Sequence, residues 1–469
     1  MKRALPVLAT AALLAAGAGA AEPLAPPSDP LFVGKGAWGQ KHEDQWAIRR
    51  VGFSDGSDSA WRLVDRGASP VVVAVVDTGL DWHHLDLDQA HIWRNPREKP
   101  ANGVDDDGNG YVDDVIGWNF VGNDEKPWDR DGHGTLLTGI IAATWDNKAG
   151  IAGINPFARI MVVKALNSFG HGRASYLAQG IVYAADNGAR VINLSVGGEG
   201  LAEVERRAIE HARAKGAVVV VAAGNGGNDT SGFGPAGFPG VITVASTDLE
   251  DRRAAFSNWG GAVDLAAPGF EVLGLRARRT DTLRDLPGSS YAPGSAYVGK
   301  DRRYYRASGT SFSAPIVTGV ASLLLAKNPA LTNEEVARIL VNSARDVETP
   351  GIDQYTGYGL LDARAALAAD PAYFIEAAVS GVKVAGASLQ VAGTARADAF
   401  DSARIDLGAG DAPADWKTVV ERVAEPVGAG LLGTFPTQEL RGGKVWTLRL
   451  VVRHRNGSTR EARFRLAIG

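Results

Sequence analysis

The 469-residue chain contains no cysteine, so disulfide staples are excluded and the protein must hold its shape by packing or by bound metal. Blocks of one charge sign are also missing. Acids and bases are interspersed around a net charge of −4, without the clustered Lys and Arg that nucleic acid or an anionic membrane surface requires. No nucleic acid is therefore expected as a partner. A membrane span is not expected either: the apolar stretch in "MKRALPVLATAALLAAGAGA" is broken by Pro6 and falls short of the ~20 residues a spanning helix needs. With Lys2 and Arg3 ahead of it and Ala18-Gly19-Ala20 behind, it reads as a secretory signal over residues 1–21. The expected location is outside the cell, in the periplasm or at the cell surface.

What is present is strand and helix in turn, from Pro70 to about Asn328. "VVVAVVD" (Val71 to Asp77), "RIMVVKAL" (Arg159 to Leu166), "RVINLSVGG" (Arg190 to Gly198) and "AVVVVAAGN" (Ala217 to Asn225) read as buried strands. "RASYLAQGIVYAADNG" and "LAEVERRAIEHARAKG" carry apolar residues at helical spacing and stop at Gly188 and Gly216. This alternation predicts a doubly wound parallel sheet of the α/β class, with ligands beyond the carboxyl ends of the strands. Asp77, Ser195 to Gly198 and Asn225 all fall at such ends. A last helix opens at "TNEE", where Thr332 and Glu335 have capping-box form. After Pro371 the texture becomes short alternating runs, including a hairpin in which Leu448, Leu450 and Val452 face Ala462, Phe464 and Leu466 across Asn456-Gly457. The expected organisation is a signal at 1–21, an α/β domain at 29–370, and a second, smaller all-β sandwich domain at 372–469.

"SGTSFSAP", Ser308 to Pro315, precedes an apolar run, and alone it reads as a helix cap. A serine hydroxyl becomes a nucleophile only when a base takes its proton. Of the eight histidines, His42, His91, His171, His211 and His454 read as solvated surface, whereas His133 stands between glycines at the start of an apolar helical pattern. Asp77 ends an all-apolar strand, where a carboxylate is costly unless paired.

Asp77-Thr78-Gly79, His133-Gly134-Thr135 and Gly309-Thr310-Ser311 with Ala314-Pro315 together resemble the subtilisin-like serine proteases, in that family's chain order. "SVGG", "AAGN", "FSNWG", "APG" and "GYGLLDA" extend the likeness across roughly Asp29 to Leu367. The resemblance implies a secreted serine endopeptidase acting on proteins or peptides. Ser311 would be its nucleophile, His133 its base, Asp77 the group that orients the base, and Asn225 an oxyanion donor beside the Ser311 N–H. It also implies that substrate is laid as a strand along Ser195, Val196, Gly197 and Gly198. Ala223 and Gly224 would also bind substrate, with Gly197, Gly198 and Gly224 leaving room for a P1 side chain and broad, apolar-leaning cleavage. Phe312 stands where the family most often has Met, and a long Arg- and Tyr-rich insertion, Leu275 to Ala307, precedes the nucleophile. Only a handful of residues separate the signal from Asp29, where such proteases commonly carry a long pro-segment.

Calcium is the expected structural metal. In "NGVDDDGNGYVDD" the spacing of Asp105, Asp107, Asn109 and Asp113, with the Tyr111 carbonyl, is that of a calcium loop, except that Ile116 replaces the closing Glu. Asp29, Asp86 and Asn147 resemble a second, structural calcium set of the family. Three other readings compete. An α/β-hydrolase fails because its histidine would have to follow Ser311, where only His454 stands. A catalytically silent binder would have lost a triad or oxyanion residue. The β domain could tether the chain to a surface, polysaccharide or protein whatever the first domain does.

Overall fold

The computed structural model describes residues 22–278, 280 and 296–467; the signal at 1–21 and part of the 275–307 insertion lie outside the described residues. Seven parallel strands form the main sheet, in the spatial order Gly117–Asn119, Ala158–Lys164, Val71–Asp77, Val191–Leu194, Val218–Ala222, Ile242–Thr247 and Leu265–Pro268. Alternation along a strand sends side chains to both faces. Val73 and Val75 thus join a core with the helices His133–Ala142 and Thr310–Lys327, while Ala74 and Val76 pack with the helices Ala174–Asp186 and Glu203–Ala214. Both faces are covered, so the strands read as unbroken apolar runs. Chain order reverses between Val71–Asp77 and Val191–Leu194, and this reversal opens a crevice at their carboxyl ends.

Local signals act where the sequence places them. Gly188 and Gly216 take positive φ just beyond the two helices that they end. Thr332 and Glu335 form the reciprocal capping box of the helix Asn333–Ser343. The helix Thr310–Lys327 is apolar and long enough to cross a membrane, yet 94% of it is buried in the protein. The visible ends of the insertion form a small antiparallel sheet, Val272–Leu275 with Tyr304–Ala307 and Tyr297–Val298.

Residues 375–467 build the second, all-β unit. A three-stranded sheet (Ile375–Ala385, Ser388–Ala397, Val427–Pro436) faces a four-stranded one (Lys417–Val423, Phe400–Ala409, Val445–His454, Thr459–Ala467). Their shared core includes Ile375, Val391, Ile405, Phe435, Leu448, Leu450 and Val452. His454 departs from its expected place on the surface. It is 7% exposed, 3.3 Å from the Asp398 carboxylate and stacked near Tyr373.

Candidate active site

Asp77 is fully buried at the end of its strand and Thr78-Gly79 turns the chain away. Its Oδ1 accepts from the Thr78 N–H at 2.7 Å and lies 2.8 Å from Nδ1 of His133. His133 is the first residue of the helix His133–Ala142. Asp129 holds that helix end: Oδ1 accepts from Gly132 N–H, and Oδ2 from the N–H and hydroxyl of Thr135. Two glycines are required by close approach, since a Cβ on Gly134 would lie 2.3 Å from the Gly79 carbonyl and one on Gly79 2.3 Å from that of Pro127. Burial opposes a charged imidazole. The Asp77 charge and hydrogen bond outweigh it, with Asp131 and Asp129 behind, so the His133 pKa is raised above its ordinary 6.5.

Ser311 opens the helix Thr310–Lys327 with its hydroxyl 3.2 Å from the Ser195 carbonyl, to which it donates; no hydrogen bond joins it to His133 in this arrangement. The helices of the two residues are adjacent, and the His133 ring lies 5.7 Å from that of Phe312. Ser195 is pinned in turn: its Oγ donates to the Ser311 carbonyl at 2.8 Å and accepts from Asn193, whose Oδ1 accepts from Thr318. Asn225 uses its Oδ1 to accept from the Thr310 N–H and hydroxyl, at 2.8 and 2.9 Å. Its amide N–H₂ is left to donate. Thr310 Oγ1 also accepts from Gly224 N–H at 3.0 Å. In the sequence Thr310 is only part of a motif; its contacts make it the clamp on Asn225.

The strand-end segments Ser195–Gly198 and Ala222–Asn225 flank Ser311, with Val196 half-buried, Gly197 and Gly198 exposed, and Ala223 and Gly224 buried. The slot expected to stay open between Gly197 and Gly224 holds the ring of Phe233. A Cβ on Gly197 would lie 2.4 Å from Phe233 Cε1, and one on Gly224 2.7 Å from the same atom. Nothing in "SGFGPAG" signals this, because Phe233 reaches the slot only by pairing with residue Glu199. Across the crevice, Arg278 in the insertion donates to buried Asp81 from its backbone N–H, Nε and Nη2.

The acidic loop converges differently from its spacing. One oxygen each from Glu98, Asp105 and Asp107 lies within 4.8 Å of the others, and Glu98 Oε2 is buried without a hydrogen-bond partner. Such an orphaned carboxylate oxygen beside two further carboxylates suits a hard cation. Glu98, upstream of the loop, is the third carboxylate of this cluster. Asn109 accepts from the Tyr111 N–H and donates to Asp114, and the Tyr111 ring packs on Trp118 and Tyr183. Asp113 is turned aside, at positive φ, to accept from the N–H groups of Asn102 and Gly103. The second set does come together: Asn147 donates to Asp86 at 2.7 Å, and Asp29 accepts from Asp146 N–H while its Oδ1 is buried and unpartnered. Burial raises Asp29 to about 6 and Asp86 to about 7, and Asp29 repels the Asp86 charge further. Two buried carboxylates with an orphaned oxygen also fit a cation.

A subtilase family profile matches residues 68–359. The "thermophilic serine proteinase" of Bacillus sp. strain AK1 is 35% identical over 340 residues, 72% of each chain. Thermitase of Thermoactinomyces vulgaris is 35% identical over 325 residues, 69% of this chain and 94% of its own. The solved structure of a cold-adapted subtilisin-like serine proteinase aligns at 27% identity with a TM-score of 0.51, covering 68% of this chain and 97% of its own.

Proposed function

The chain belongs to the subtilase family and is a serine endopeptidase acting on proteins or peptides, and from that premise we propose that Asp77, His133 and Ser311 form its catalytic triad. The observation that carries this is the buried 2.8 Å pair of His133 and Asp77 at the point where strand order reverses, beside Ser311 at a helix start. Ser311 Oγ leaves the Ser195 carbonyl and turns to His133, which takes its proton as the Oγ–carbon bond forms. The substrate oxygen becomes an oxyanion, held by the Asn225 amide and the Ser311 N–H; one such side-chain donor is typically worth ~3 kcal/mol of barrier. His133 returns the proton to the leaving amine as the carbon–nitrogen bond breaks, and water then releases the acyl group by the same sequence. Asp77 keeps Nδ1 protonated and steadies the imidazolium.

Substrate lies as an added strand along Ser195 to Gly198, so main-chain hydrogen bonds supply most recognition and selectivity away from P1 is broad. Calcium is the structural ion that both acidic sets suit. Glu98, Asp105 and Asp107 would hold one ion, and Asp29, Asp86 and Asn147 another, neutralising buried carboxylates and tying the N-terminal segment to two loops. The signal at 1–21 directs the protein out of the cell.

Active-site labelling tests this. A fluorophosphonate is expected to modify Ser311 alone, by peptide mapping, at a rate that rises with pH. His133 must be neutral to act as base, and its raised pKa puts the midpoint above the ordinary 6.5. No labelling of folded protein at any pH would sink the triad. A rate that does not change with pH would sink the assignment of the base.

A further inference from the structure

Ser311 and the Ser195 carbonyl mark where the scissile bond must lie. On the reading proposed above, a strand added along Ser195–Gly198 brings its P1 side chain to Gly197 and Gly224, neither of which carries a Cβ to block it. That space is taken. Phe233 Cε1 and Cζ would lie 2.4 and 3.1 Å from a Cβ on Gly197, and 2.7 and 2.9 Å from a Cβ on Gly224. One ring edge therefore touches both walls. Carbon atoms pack best at about 3.5–4.0 Å, so a second large side chain cannot share the slot.

The backbone that carries the ring is itself held. Gly198 and Glu199 pair antiparallel with Gly234 and Phe233, and Gly200 N–H donates to the Gly232 carbonyl at 2.9 Å. Phe233 itself accepts from Gly237 N–H at 2.7 Å, and Thr230 N–H donates to the Trp259 carbonyl at 2.7 Å. The next residue is closely packed as well: a Cβ on Gly234 would lie 2.6 Å from the Gly200 carbonyl and 3.2 Å from Oε2 of buried Glu205.

We propose that Phe233 fills the primary side-chain pocket and sets specificity, so that the enzyme cuts after glycine, alanine and serine and rejects large P1 residues. The inference rests on the endopeptidase reading above and narrows the apolar-leaning P1 expected from sequence. Its test is a set of internally quenched peptides that differ only at P1 (Ala, Ser, Leu, Phe, Arg), cut by the full-length enzyme and by Phe233→Ala and Phe233→Leu. In the wild type, kcat/KM is expected to favour Ala over Phe by about a hundredfold, the scale on which pockets reject extra bulk. Phe233→Ala is expected to shrink that ratio at least about tenfold, with Phe233→Leu between the two. Because the readout is a ratio within one preparation, a partly folded variant does not imitate it. Should Phe233→Ala not fold, the wild-type profile still decides. Wild-type cleavage after Leu, Phe or Arg as fast as after Ala overturns the proposal, as does an unchanged ratio in active Phe233→Ala. Fluorophosphonate labelling of the same wild-type sample separates the two levels. Labelled enzyme with a large-P1 preference refutes Phe233 alone, whereas unlabelled and inactive enzyme refutes the endopeptidase reading and the pocket with it.

Discussion

Thr310 shows how one hydroxyl can decide the aim of another residue. Its Oγ1 donates to Asn225 Oδ1 and accepts from Gly224 N–H, so the Asn225 amide is held by its oxygen and its N–H₂ is left for the oxyanion role proposed above. Valine has the same shape and no hydroxyl. Thr310→Val leaves only the backbone N–H of residue 310 on Asn225, and the donor loosens at the moment when charge develops. The expected loss is about tenfold in kcat, ~1.4 kcal/mol, with KM nearly unchanged. Thr310→Ser, which keeps the hydroxyl, is expected to recover most of it. Steady-state kinetics on one peptide checks this; equal losses in both variants, or a loss confined to KM, would show that Thr310 serves packing only.

Among elements, the acidic loop behaves as a unit with its upstream neighbour. Glu98 Oε1 accepts from the N–H groups of Asp106 and Asp107, Oε2 is buried without a hydrogen-bond partner, and the carboxylate clusters with those of Asp105 and Asp107. If calcium closes this cluster, calorimetric titration of the wild type should count two ions, and Glu98→Gln should count one. Ligand at a hundredfold over its Kd stabilises by about 2.7 kcal/mol, so the variant should also lose a few degrees of the calcium-dependent rise in Tm. Two ions bound with wild-type affinity by Glu98→Gln would remove Glu98 from the site. This loop also marks where sequence reading stops. Asp77, His133, Ser311 and Asn225 could be proposed from the sequence because their short motifs fall together in the order of one family; alone, Ser311 reads as a helix cap. Glu98 lies outside the loop's own spacing, and Phe233 lies 36 residues beyond Gly197 with no periodic signal; both arrive by tertiary folding alone. Asp113 was misplaced for the opposite reason: its spacing was right, but a left-handed backbone turned it to the N–H groups of Asn102 and Gly103.

At the scale of the whole molecule, the β unit is docked on the α/β body through polar contacts to defined backbone groups. Arg460, on the strand Thr459–Ala467, donates to the carbonyls of Val341 and Asn342 at the end of the helix Asn333–Ser343, and its guanidinium lies 5.0 Å from the centre of the Tyr358 ring. A positive charge at a helix C-terminus meets both the unpaired carbonyls and the dipole. Backbone bonds extend the joint, from Ile352 N–H to the Glu461 carbonyl and from Arg463 N–H to that of Ile352, and Ile375 N–H donates to the Asn342 side chain. Such a joint couples the melting of the two units. Arg460→Met keeps the apolar stem but removes the charge-assisted bonds, each worth roughly 1.5–3 kcal/mol. Scanning calorimetry of the wild type is expected to show one transition. In Arg460→Met the β unit should melt separately and earlier, while cleavage of a short peptide, which needs only the crevice at the sheet, stays within about twofold of wild type. A variant that still melts once, at the wild-type temperature, would mean that the backbone bonds alone hold the two units together.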